Sequence, residues 1–452
     1  MNFAKCNYFL LKSNNNFLFF DIFRNFITFV SPCRNVAKHC MQMSTYKVII
    51  IGAGASGCFC AVEMKRRHPD WDVCLLESAP KPMMKLAITG GGRCNLTNSF
   101  EGVKHLKEVY PRGEQLMRRA LRVFDHRSCM DWWEKEGVRL HIQEDGCVFP
   151  QSQDAMQLVR TLTKLMLNQG VTLLCGHKVV RVEALSKGFK VHIKQGVDKE
   201  TAREADRVVL SCGGCSKDIL RRLLPDRIKL TDTVASLFTL KLDNQSLTQL
   251  CGTVVQDASL ALSFDKDDSL CRSRGILLIT DWGISGPATL KLSSYAARLL
   301  AAHQYKGYVN INWLSLNEEQ TRLKIAEHVS GENAKKYIGN CHIAELSDRL
   351  WRHILSRAGI REDIRCCELG KKNISKLTSS LCSDRYDVIG RSRFKEEFVT
   401  CGGVDLNSIN INTLESKEYP GLYFTGEVLD IDAVTGGFNL QAAWSCGYIV
   451  AD

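Results

Sequence analysis

The sequence is short of proline, of long apolar runs and of paired metal-binding motifs. Its 9 prolines and 33 glycines are scattered without a period, which excludes collagen-like and low-complexity classes. The apolar stretch over residues 17–30 is interrupted by Asp21 and Arg24 and is too short to span a bilayer, so we expect no membrane segment. No two CxxC motifs are present to hold zinc, and we expect no metal site.

The overall composition predicts a globular protein. Of its 452 residues, 45% are hydrophobic and 24% are charged, which allows a large core and excludes disorder as the main state. The 20 cysteines are typical of thiols in a reducing compartment, and we predict a cytoplasmic protein. A net charge of +11 is compatible with nucleic acid, but no cluster of basic and aromatic residues supports one. The predicted partner is therefore a small-molecule substrate.

The first 45 residues differ from the rest of the chain. They are basic, poor in acidic residues and amphipathic, as in a transit peptide, which would place the protein in an organelle. The alternative that we favour is an over-long translation start, since Met43 stands directly before the first predicted strand. The prediction of the fold therefore begins at residue 46.

A glycine motif follows that first strand. Residues 47–51 (KVIII) form a continuous apolar run, as in a parallel strand buried on both faces. In the following GAGASG, Gly52 permits a tight turn, Gly54 admits a pyrophosphate and Gly57 allows close packing of helix on strand. An apolar helical pattern and a second strand that ends at Glu77 complete a dinucleotide-binding fingerprint. The predicted contacts here are Gly52, Gly54, Ala55, Ser56, Gly57 and Glu77.

Two further glycine-rich segments favour FAD over a nicotinamide dinucleotide. FAD is long, so its flavin half must be held by chain remote from the segment that holds its ADP half. Residues 85–98 (KLAITGGGRCNLTN) and 421–439 supply glycine turns with polar side chains, and a helix after the second turn would point its N-terminus at the flavin. The predicted contacts are Lys85, Gly91, Gly92, Arg93, Cys94, Asn95, Asn98, Gly213, Gly426, Glu427, Asp430, Gly436, Gly437, Phe438 and Asn439.

The turn Cys212-Gly213-Gly214-Cys215 has two interpretations. Its spacing is that of a redox CxxC pair, which in thioredoxin-like proteins stands at the start of a helix. The interpretation that we favour is a glycine turn where a strand meets FAD, with two incidental cysteines.

Periodicity outlines the remaining elements. A helix is predicted over residues 155–168, and strands over 171–175, 177–183, 189–193 and 207–211. Short alternating strands between residues 234 and 313 predict a barrel, with a helix from Pro287 through Leu300.

These motifs resemble the YhiN/BaiN-type NAD(P)/FAD-dependent oxidoreductases, also known as the aminoacetone oxidase family of FAD-binding enzymes. The resemblance is carried by VIIIGAGASG, KLAITGGGRCNLTNS, DWGISGPATLKLSS and the stretch from VTCGGVDLNSIN to the C-terminal helix. It implies an α/β fold, with a Rossmann-like two-part FAD-binding domain of the glutathione-reductase type and an inserted β-barrel plus helical domain. The divisions are an extension at 1–45, a first FAD-binding part at 46–217, a barrel at 218–315, a helical domain at 316–384 and a second FAD-binding part at 385–452.

The motifs and the resemblance together predict an FAD-dependent oxidoreductase. Hydride would pass between NADH or NADPH, the flavin and an electron-poor C=C or C=N of a small organic substrate. Because the sequence has one dinucleotide fingerprint, the nicotinamide would be a transient electron donor. Asp281 and Cys94 are the candidate catalytic residues, although Cys94 is also explained as a packed thiol. The alternatives are an amine oxidase that uses O2, a tRNA-modifying flavoprotein and a flavin redox sensor without catalysis.

Overall fold

The computed structural model describes residues 45–196, 199–264, 267–391 and 399–452. The predictions for the N-terminal extension at residues 1–45 lie outside this part of the chain, apart from its last residue.

The strands are, in chain order, β1 Thr45–Ile51, β2 Val73–Glu77, β3 Thr97–Asn98, β4 Leu140–Ile142, β5 Cys147–Pro150, β6 Thr172–Cys175, β7 Lys178–Ala184, β8 Phe189–Gln195, β9 Lys199–Leu210, β10 Leu230–Ser236, β11 Leu240–Leu242, β12 Val254–Phe264, β13 Asp267–Ile279, β14 Gly283–Ser285, β15 Gly307–Asn312, β16 Asp384–Arg391, β17 Val399–Val404 and β18 Leu422–Phe424. The helices are α1 Ala55–Arg67, α2 Met84–Ile88, α3 Leu106–Val109, α4 Glu114–Val123, α5 His126–Lys135, α6 Ala155–Asn168, α7 Lys217–Leu223, α8 Gln245–Thr248, α9 Pro287–Tyr295, α10 Ala297–Ala302, α11 Glu318–His328, α12 Asp348–Arg357, α13 Gly370–Cys382 and α14 Phe438–Val450.

A seven-stranded sheet carries the first glycine motif. Its order is β6-β2-β1-β9-β8-β7, and β18 pairs with the end of β9. β2 runs parallel to β1 and β6, and β18 runs parallel to β9, whereas β7, β8 and the first part of β9 are antiparallel. Val48, Ile49 and Ile50 of the central β1 are fully buried, in agreement with the apolar run KVIII.

The first and last described helices, α1 and α14, pack directly on each other. Gly447 of α14 allows this approach, because a Cβ there would lie only 3.0 Å from the carbonyl oxygen of Ser56 in α1. The rings of Phe59 and Trp444 lie 5.4 Å apart between centroids at this contact. The packing therefore places the C-terminal segment beside the turn that follows β1.

Six strands form a closed barrel in the order β11-β14-β13-β12-β15-β16. Alternate residues of β12 point into it, and Leu260 and Leu262 are buried. The closing strand β16 pairs with both β11 and β15. Since β16 begins at Asp384, the predicted division between residues 384 and 385 cuts a barrel strand away from its partners. The sequence pattern places the end of the barrel near residue 313, because the helices α11 to α13 separate β16 from the other strands in the chain.

Polar contacts to the buried Asp384 and Tyr386 hold β16 to the chain that precedes it. Trp313 Nε1 donates to Asp384 Oδ2 at 3.1 Å, and Arg357 Nη2 of α12 donates to Asp384 Oδ1 at 2.8 Å. His353 Nε2 lies 2.9 Å from the Tyr386 hydroxyl. The barrel and these helices share one apolar core, separate from the core around the seven-stranded sheet.

An antiparallel ribbon connects the two parts of the molecule. β10 pairs with β17, with Leu230 opposite Val404 and Ser236 opposite Val399. The chain thus leaves the sheet through β10 and returns to it through β17.

Two predicted elements differ from the structure in length. The helix expected from Pro287 through Leu300 is interrupted at Ala296, whose φ of −91° and ψ of 9° separate α9 from α10. Strand β9 begins at Lys199 rather than 207, because its first half carries the charged and mostly half-buried run KETAREAD instead of an apolar pattern. The predicted fold class, a Rossmann-type α/β domain with an inserted barrel and helices, is confirmed.

Candidate functional site

The turn after β1 is packed tightly on one side and open on the other. Gly52 has a φ of +102°, and a Cβ on it would lie 2.6 Å from the carbonyl oxygen of Ser211. A Cβ on Gly57 would lie 2.1 Å from the carbonyl oxygen of Gly52. A Cβ on Gly54 would meet nothing within 4 Å. The backbone at Gly54 therefore leaves room for a ligand, as the fingerprint requires.

Helix α1 starts at this turn and offers N–H groups there. Its N-cap, Gly54, supplies no side-chain cap, so the N–H groups of Ala55 and Ser56 stand at a helix end that favours anions. The Ser56 hydroxyl has other partners: it donates to the Ala443 carbonyl at 2.9 Å and lies 2.7 Å from the Thr425 hydroxyl. The backbone of Ser56, rather than its side chain, thus fits the predicted contact.

Glu77 lies at the end of β2, beside the same turn. Its Oε2 accepts a hydrogen bond from the Ala53 N–H at 2.8 Å, and its Oε1 accepts one from the Ala79 N–H at 2.8 Å. These bonds fix the carboxylate at the carboxyl edge of the sheet, where ligands of such folds bind. Its contact with a ribose stays a prediction.

The second glycine loop also presents open backbone. Gly91 and Gly92 have φ values of +69° and +83°, and a Cβ on either would meet nothing within 4 Å. Arg93 places its guanidinium over the Phe149 ring, 4.6 Å from the ring centroid, which holds the loop against β5. A flat ligand can therefore approach this backbone closely.

Asparagines of this loop bind the C-terminal loop across more than 300 residues of chain. Asn98 donates through Nδ2 to the Gly436 carbonyl at 3.0 Å. In the amide orientation that satisfies both its neighbours, Asn95 donates to the Thr97 carbonyl at 2.9 Å and accepts from the Gly437 N–H at 3.2 Å. The structure therefore brings together two segments that the sequence analysis assigned to one flavin.

The start of α14 is held firmly. Its N-cap Gly437 has a φ of +88° and no side-chain cap. The Asn439 amide accepts from the Ala433 N–H and donates to the Ala433 carbonyl, both at 2.9 Å. The Phe438 carbonyl accepts from the buried Tyr110 hydroxyl at 2.9 Å. The predicted contacts Phe438 and Asn439 thus fix the direction in which the helix N-terminus points.

Glu427 connects three of the predicted segments. Its Oε1 accepts from the Thr400 N–H at 2.8 Å, and its Oε2 lies 3.8 Å from Nζ of Lys85. A Cβ on Gly213 would lie 3.7 Å from the same Oε2, and a Cβ on Gly426 would lie 3.0 Å from Ser56 Cβ. Lys85, Gly213 and Gly426 are therefore gathered around the turn after β1.

Asp430 has a different partner from the one predicted. Both of its carboxylate oxygens accept from Arg298 Nη2 of α10, at 2.9 and 2.8 Å. This ion pair directs the side chain towards the inserted part and weighs against a cofactor contact.

The two candidate catalytic residues are in different surroundings. Cys94 is fully buried, and burial raises the pKa of its thiol to about 12, so the thiol is protonated at neutral pH. Asp281 is exposed in the turn between β13 and β14. Among the residues that the structure describes, no hydrogen bond or ion pair joins Asp281 to the glycine turns.

A buried ion pair near the site was missed by the sequence analysis. Arg112 Nε donates to Asp432 Oδ1 at 2.6 Å, and Asp432 is 0% exposed. Arg112 Nη1 also donates to the Ser294 carbonyl of α9 at 2.7 Å, and the Ser236 hydroxyl of β10 donates to Asp432 Oδ2 at 2.7 Å. The pair thus joins the C-terminal loop to the ribbon and the insertion. The available signal was an acidic residue inside the apolar run IDAV.

Neither a metal centre nor a membrane helix was found in the described ranges. No three His, Cys, Asp or Glu side chains of this part of the chain are grouped to hold a metal ion. None of its helices is long and apolar enough to cross a membrane.

Comparison with known proteins assigns residues 46–452 to one family and finds relatives along nearly the whole of that range. A family model described as "HI0933-like protein Rossmann domain" matches residues 46–452. The chain is 28% identical over 419 residues to a 3-dehydro-bile acid delta(4,6)-reductase of Clostridium scindens, which covers 89% of this chain and 97% of that protein. It is 29% identical over 428 residues to a ribosomal RNA dihydrouridine synthase of Escherichia coli, covering 90% and 98% respectively. A protein of the same name from Haemophilus influenzae is 28% identical over 427 residues, covering 90% and 98%.

Proposed function

Because the chain belongs to the HI0933-like family of FAD-dependent oxidoreductases, as the resemblance implied, we propose that it reduces a carbon–carbon double bond conjugated to a carbonyl group. The names of its relatives support this choice. A bile acid delta(4,6)-reductase and an rRNA dihydrouridine synthase act on very different molecules. Saturation of an enone and of the uracil ring are nevertheless the same reaction class, since each adds hydride to an alkene polarised by a carbonyl.

The convergence of the asparagine loop and the C-terminal loop is the observation that carries the proposal. Asn98 and Asn95 bind Gly436 and Gly437, beside backbone at Gly91 and Gly92 that has open space in front of it. This cradle suits the flavin half of FAD, and the open backbone at Gly54 suits the pyrophosphate. Bulkier residues at these glycines would fill the space that the cofactor needs.

When bound, FAD supplies two-electron chemistry through its flavin N5. The protein's own contribution is electrostatic: α14 directs its unpaired N–H groups and positive dipole end at the cradle, where they stabilise negative charge. Asp281 remains a proposed catalytic residue; as an exposed carboxylate it would relay to the substrate a proton that comes from water. Cys94 is less suitable because a thiol with a pKa of about 12 is poorly matched to neutral pH.

We propose NADH or NADPH as the electron donor. The chain has one dinucleotide fingerprint, which we assign to FAD. The nicotinamide would therefore dock transiently at the flavin and leave before the substrate enters.

An RNA substrate is the second candidate function. The relatives named rRNA dihydrouridine synthases reopen the nucleic-acid class that the sequence analysis set aside. A cavity of about 380 Å³ is lined by Arg118, Arg119 and Arg122 of α4 and by Glu114, which pairs with Arg118. The net positive charge of this lining is suited to phosphate. A uracil base would then replace the small organic substrate in the same reduction.

Anaerobic mixing of the purified protein with NADH or NADPH tests the proposal. We expect bleaching of the flavin absorbance, followed by reoxidation with a conjugated enone or with unmodified rRNA. Reoxidation by rRNA alone, lost steeply with added salt, would select the RNA candidate. Failure of both acceptors, with bleaching by an amine instead, would contradict the proposal and support an amine oxidase.

A further inference from the structure

Two thiols stand together at the edge of the proposed cofactor site. Cys212 and Cys215 follow β9 after a single serine, and their sulfur atoms are 4.0 Å apart. Both residues are partly exposed, so a small oxidant can reach this turn. A disulfide requires about 2 Å between the sulfurs, which is a short movement for two side chains separated by two glycines.

Although the sequence favours two incidental cysteines, we propose from this geometry that Cys212 and Cys215 are a redox-active dithiol, which a peroxide converts into a disulfide that loosens the FAD site. The effect on FAD rests on the proposed function, whereas the thiol chemistry does not.

The two thiols differ in pKa, as a reactive dithiol requires. The hydrogen bond from the Cys212 thiol lowers the pKa of Cys215 against the opposing effects of burial and Glu427, and Lys85 lowers it further. The same hydrogen bond and burial raise the pKa of Cys212. Cys215 is therefore the nucleophile and Cys212 the resolving thiol.

The oxidation is balanced with hydrogen peroxide as the oxidant. The Cys215 thiolate attacks one peroxide oxygen, the O–O bond breaks, and hydroxide leaves and takes up a proton to form water. Cys212 then attacks the sulfenic sulfur, an S–S bond forms, the S–O bond breaks, and a second water leaves with the Cys212 proton. The two sulfurs are oxidised, the peroxide is reduced, and an external dithiol reverses the change.

The glycines between the cysteines transmit the closure to the cofactor site. A Cβ on Gly214 would lie 2.0 Å from Thr400 Oγ1 and 2.7 Å from Glu427 Oε1. The backbone at Gly214 thus lies against the residues that hold Glu427. Glu427 Oε2 also lies 3.8 Å from Lys85 Nζ. A shift of this turn therefore disturbs two residues that we assign to the FAD site.

A second pair of thiols provides the matched control. The thiols of Cys341 and Cys366 also interact, but both residues are buried, and burial raises the pKa of Cys366 to about 11. The structure therefore predicts that peroxide oxidises the Cys212 pair and leaves the Cys341 pair reduced.

Peptide mapping of the full-length, FAD-bound protein tests the thiol chemistry. After one equivalent of hydrogen peroxide and alkylation, trypsin releases residues 208–217, which contain both cysteines. We expect this peptide to lose two hydrogen atoms and to take up no alkyl group, while Cys341 and Cys366 are alkylated fully. Two alkyl groups on the 208–217 peptide, or equal oxidation of the Cys341 pair, would overturn the proposal.

Equilibrium binding of FAD tests the consequence. Peroxide should weaken FAD binding by the wild type and the Cys366→Ser variant by about threefold to tenfold, and an added dithiol should restore it. The Cys215→Ser variant should not respond. An equal response of Cys215→Ser would overturn the switch. A protein that binds no FAD in either redox state would instead refute the proposed function, and the peptide map would still decide whether the dithiol forms.

Discussion

Gly54 and Gly57 belong to one turn, yet the space around each gives it a different role. A Cβ on Gly54 would face open space, whereas a Cβ on Gly57 would lie 2.1 Å from backbone. At the level of single residues, one glycine thus leaves room for a ligand and the other allows the close packing of the fold.

The two positions form a matched pair of variants. Gly54→Val should leave the free energy of unfolding of the FAD-free protein unchanged and weaken FAD binding by about 100-fold or more. Gly57→Val should lower the free energy of unfolding by about 1–3 kcal/mol, because the side chain overpacks the turn. Urea unfolding and FAD titration separate the two effects. Equal FAD binding by Gly54→Val and the wild type would contradict our assignment of the turn.

The Arg112–Asp432 pair permits a second comparison of single residues. Arg112→Ala leaves a fully buried carboxylate without its partner and should lower the free energy of unfolding by about 3–5 kcal/mol. Arg118→Ala removes an ion pair with Glu114 on the surface of α4 and should cost about 0.5 kcal/mol or less. Urea unfolding of both variants measures the difference, and a loss for Arg112→Ala as small as that expected for Arg118→Ala would show that Arg112 is dispensable to the fold.

At the scale of elements, the asparagine loop and the start of α14 act as one assembly. Asn98→Asp keeps the acceptor for the Phe100 N–H but replaces the donor to the Gly436 carbonyl by a negative charge. We expect FAD binding to weaken about tenfold as the C-terminal loop is released. FAD titration of the variant measures the loss.

Asn410→Asp is the control for this substitution. Asn410 also accepts a hydrogen bond from the N–H two residues further on, that of Asn412, and it is exposed. Its substitution should leave FAD binding unchanged. Equal weakening by both variants would mean that the Asn98 link does not organise the site.

The contact between helix α12 and strand β16 should make the free energy of unfolding depend on pH. Burial lowers the pKa of His353 below the ordinary value of 6.5, although Asp384 opposes this. The unfolded chain therefore takes up a proton on His353 at a pH where the folded protein does not. The stability that the neutral His353 contributes is present above pH 6.5 and falls as the pH drops towards the folded pKa. The difference in unfolding free energy between the wild type and His353→Gln should narrow from pH 7 to pH 5. If urea titrations show that this difference widens from pH 7 to pH 5, the direction assigned to the pKa shift of His353 is wrong.

The sequence predicted elements well where their signal is local. The fingerprint and the helix over residues 155–168 could be read from periodicity and glycine spacing, whereas the full fold class was implied by the family resemblance. Strand β16 could not, because its place in the barrel depends on pairing with β11 and β15 across the helices that precede it. The Arg112–Asp432 pair was missed for the same reason, since its partners are 320 residues apart.

At the scale of the whole molecule, the proposed cofactor site is assembled from distant segments. Residues near Gly54, Gly91, Gly213 and Gly436 meet only in the folded chain. FAD should consequently bind the folded state and not the unfolded one.

Removal of FAD should therefore destabilise the protein. At a free FAD concentration of about 100 times the dissociation constant, the linkage contributes roughly 2.7 kcal/mol. We expect a lower Tm without FAD and recovery on its addition. FMN, which lacks the AMP part of FAD that the first glycine turn is assigned to hold, should not restore the Tm. Full recovery with FMN would contradict the role of that turn.

The ribbon of β10 and β17 places the exit and the re-entry of the insertion side by side, with Ser236 opposite Val399. A whole module can consequently be exchanged at two adjacent junctions without cutting the seven-stranded sheet. Chimeras spliced at these two junctions between the chain and its bile-acid or ribosomal relatives would keep the proposed FAD site and acquire a foreign barrel with its helices. The junctions are therefore a natural point for evolution to diversify the family.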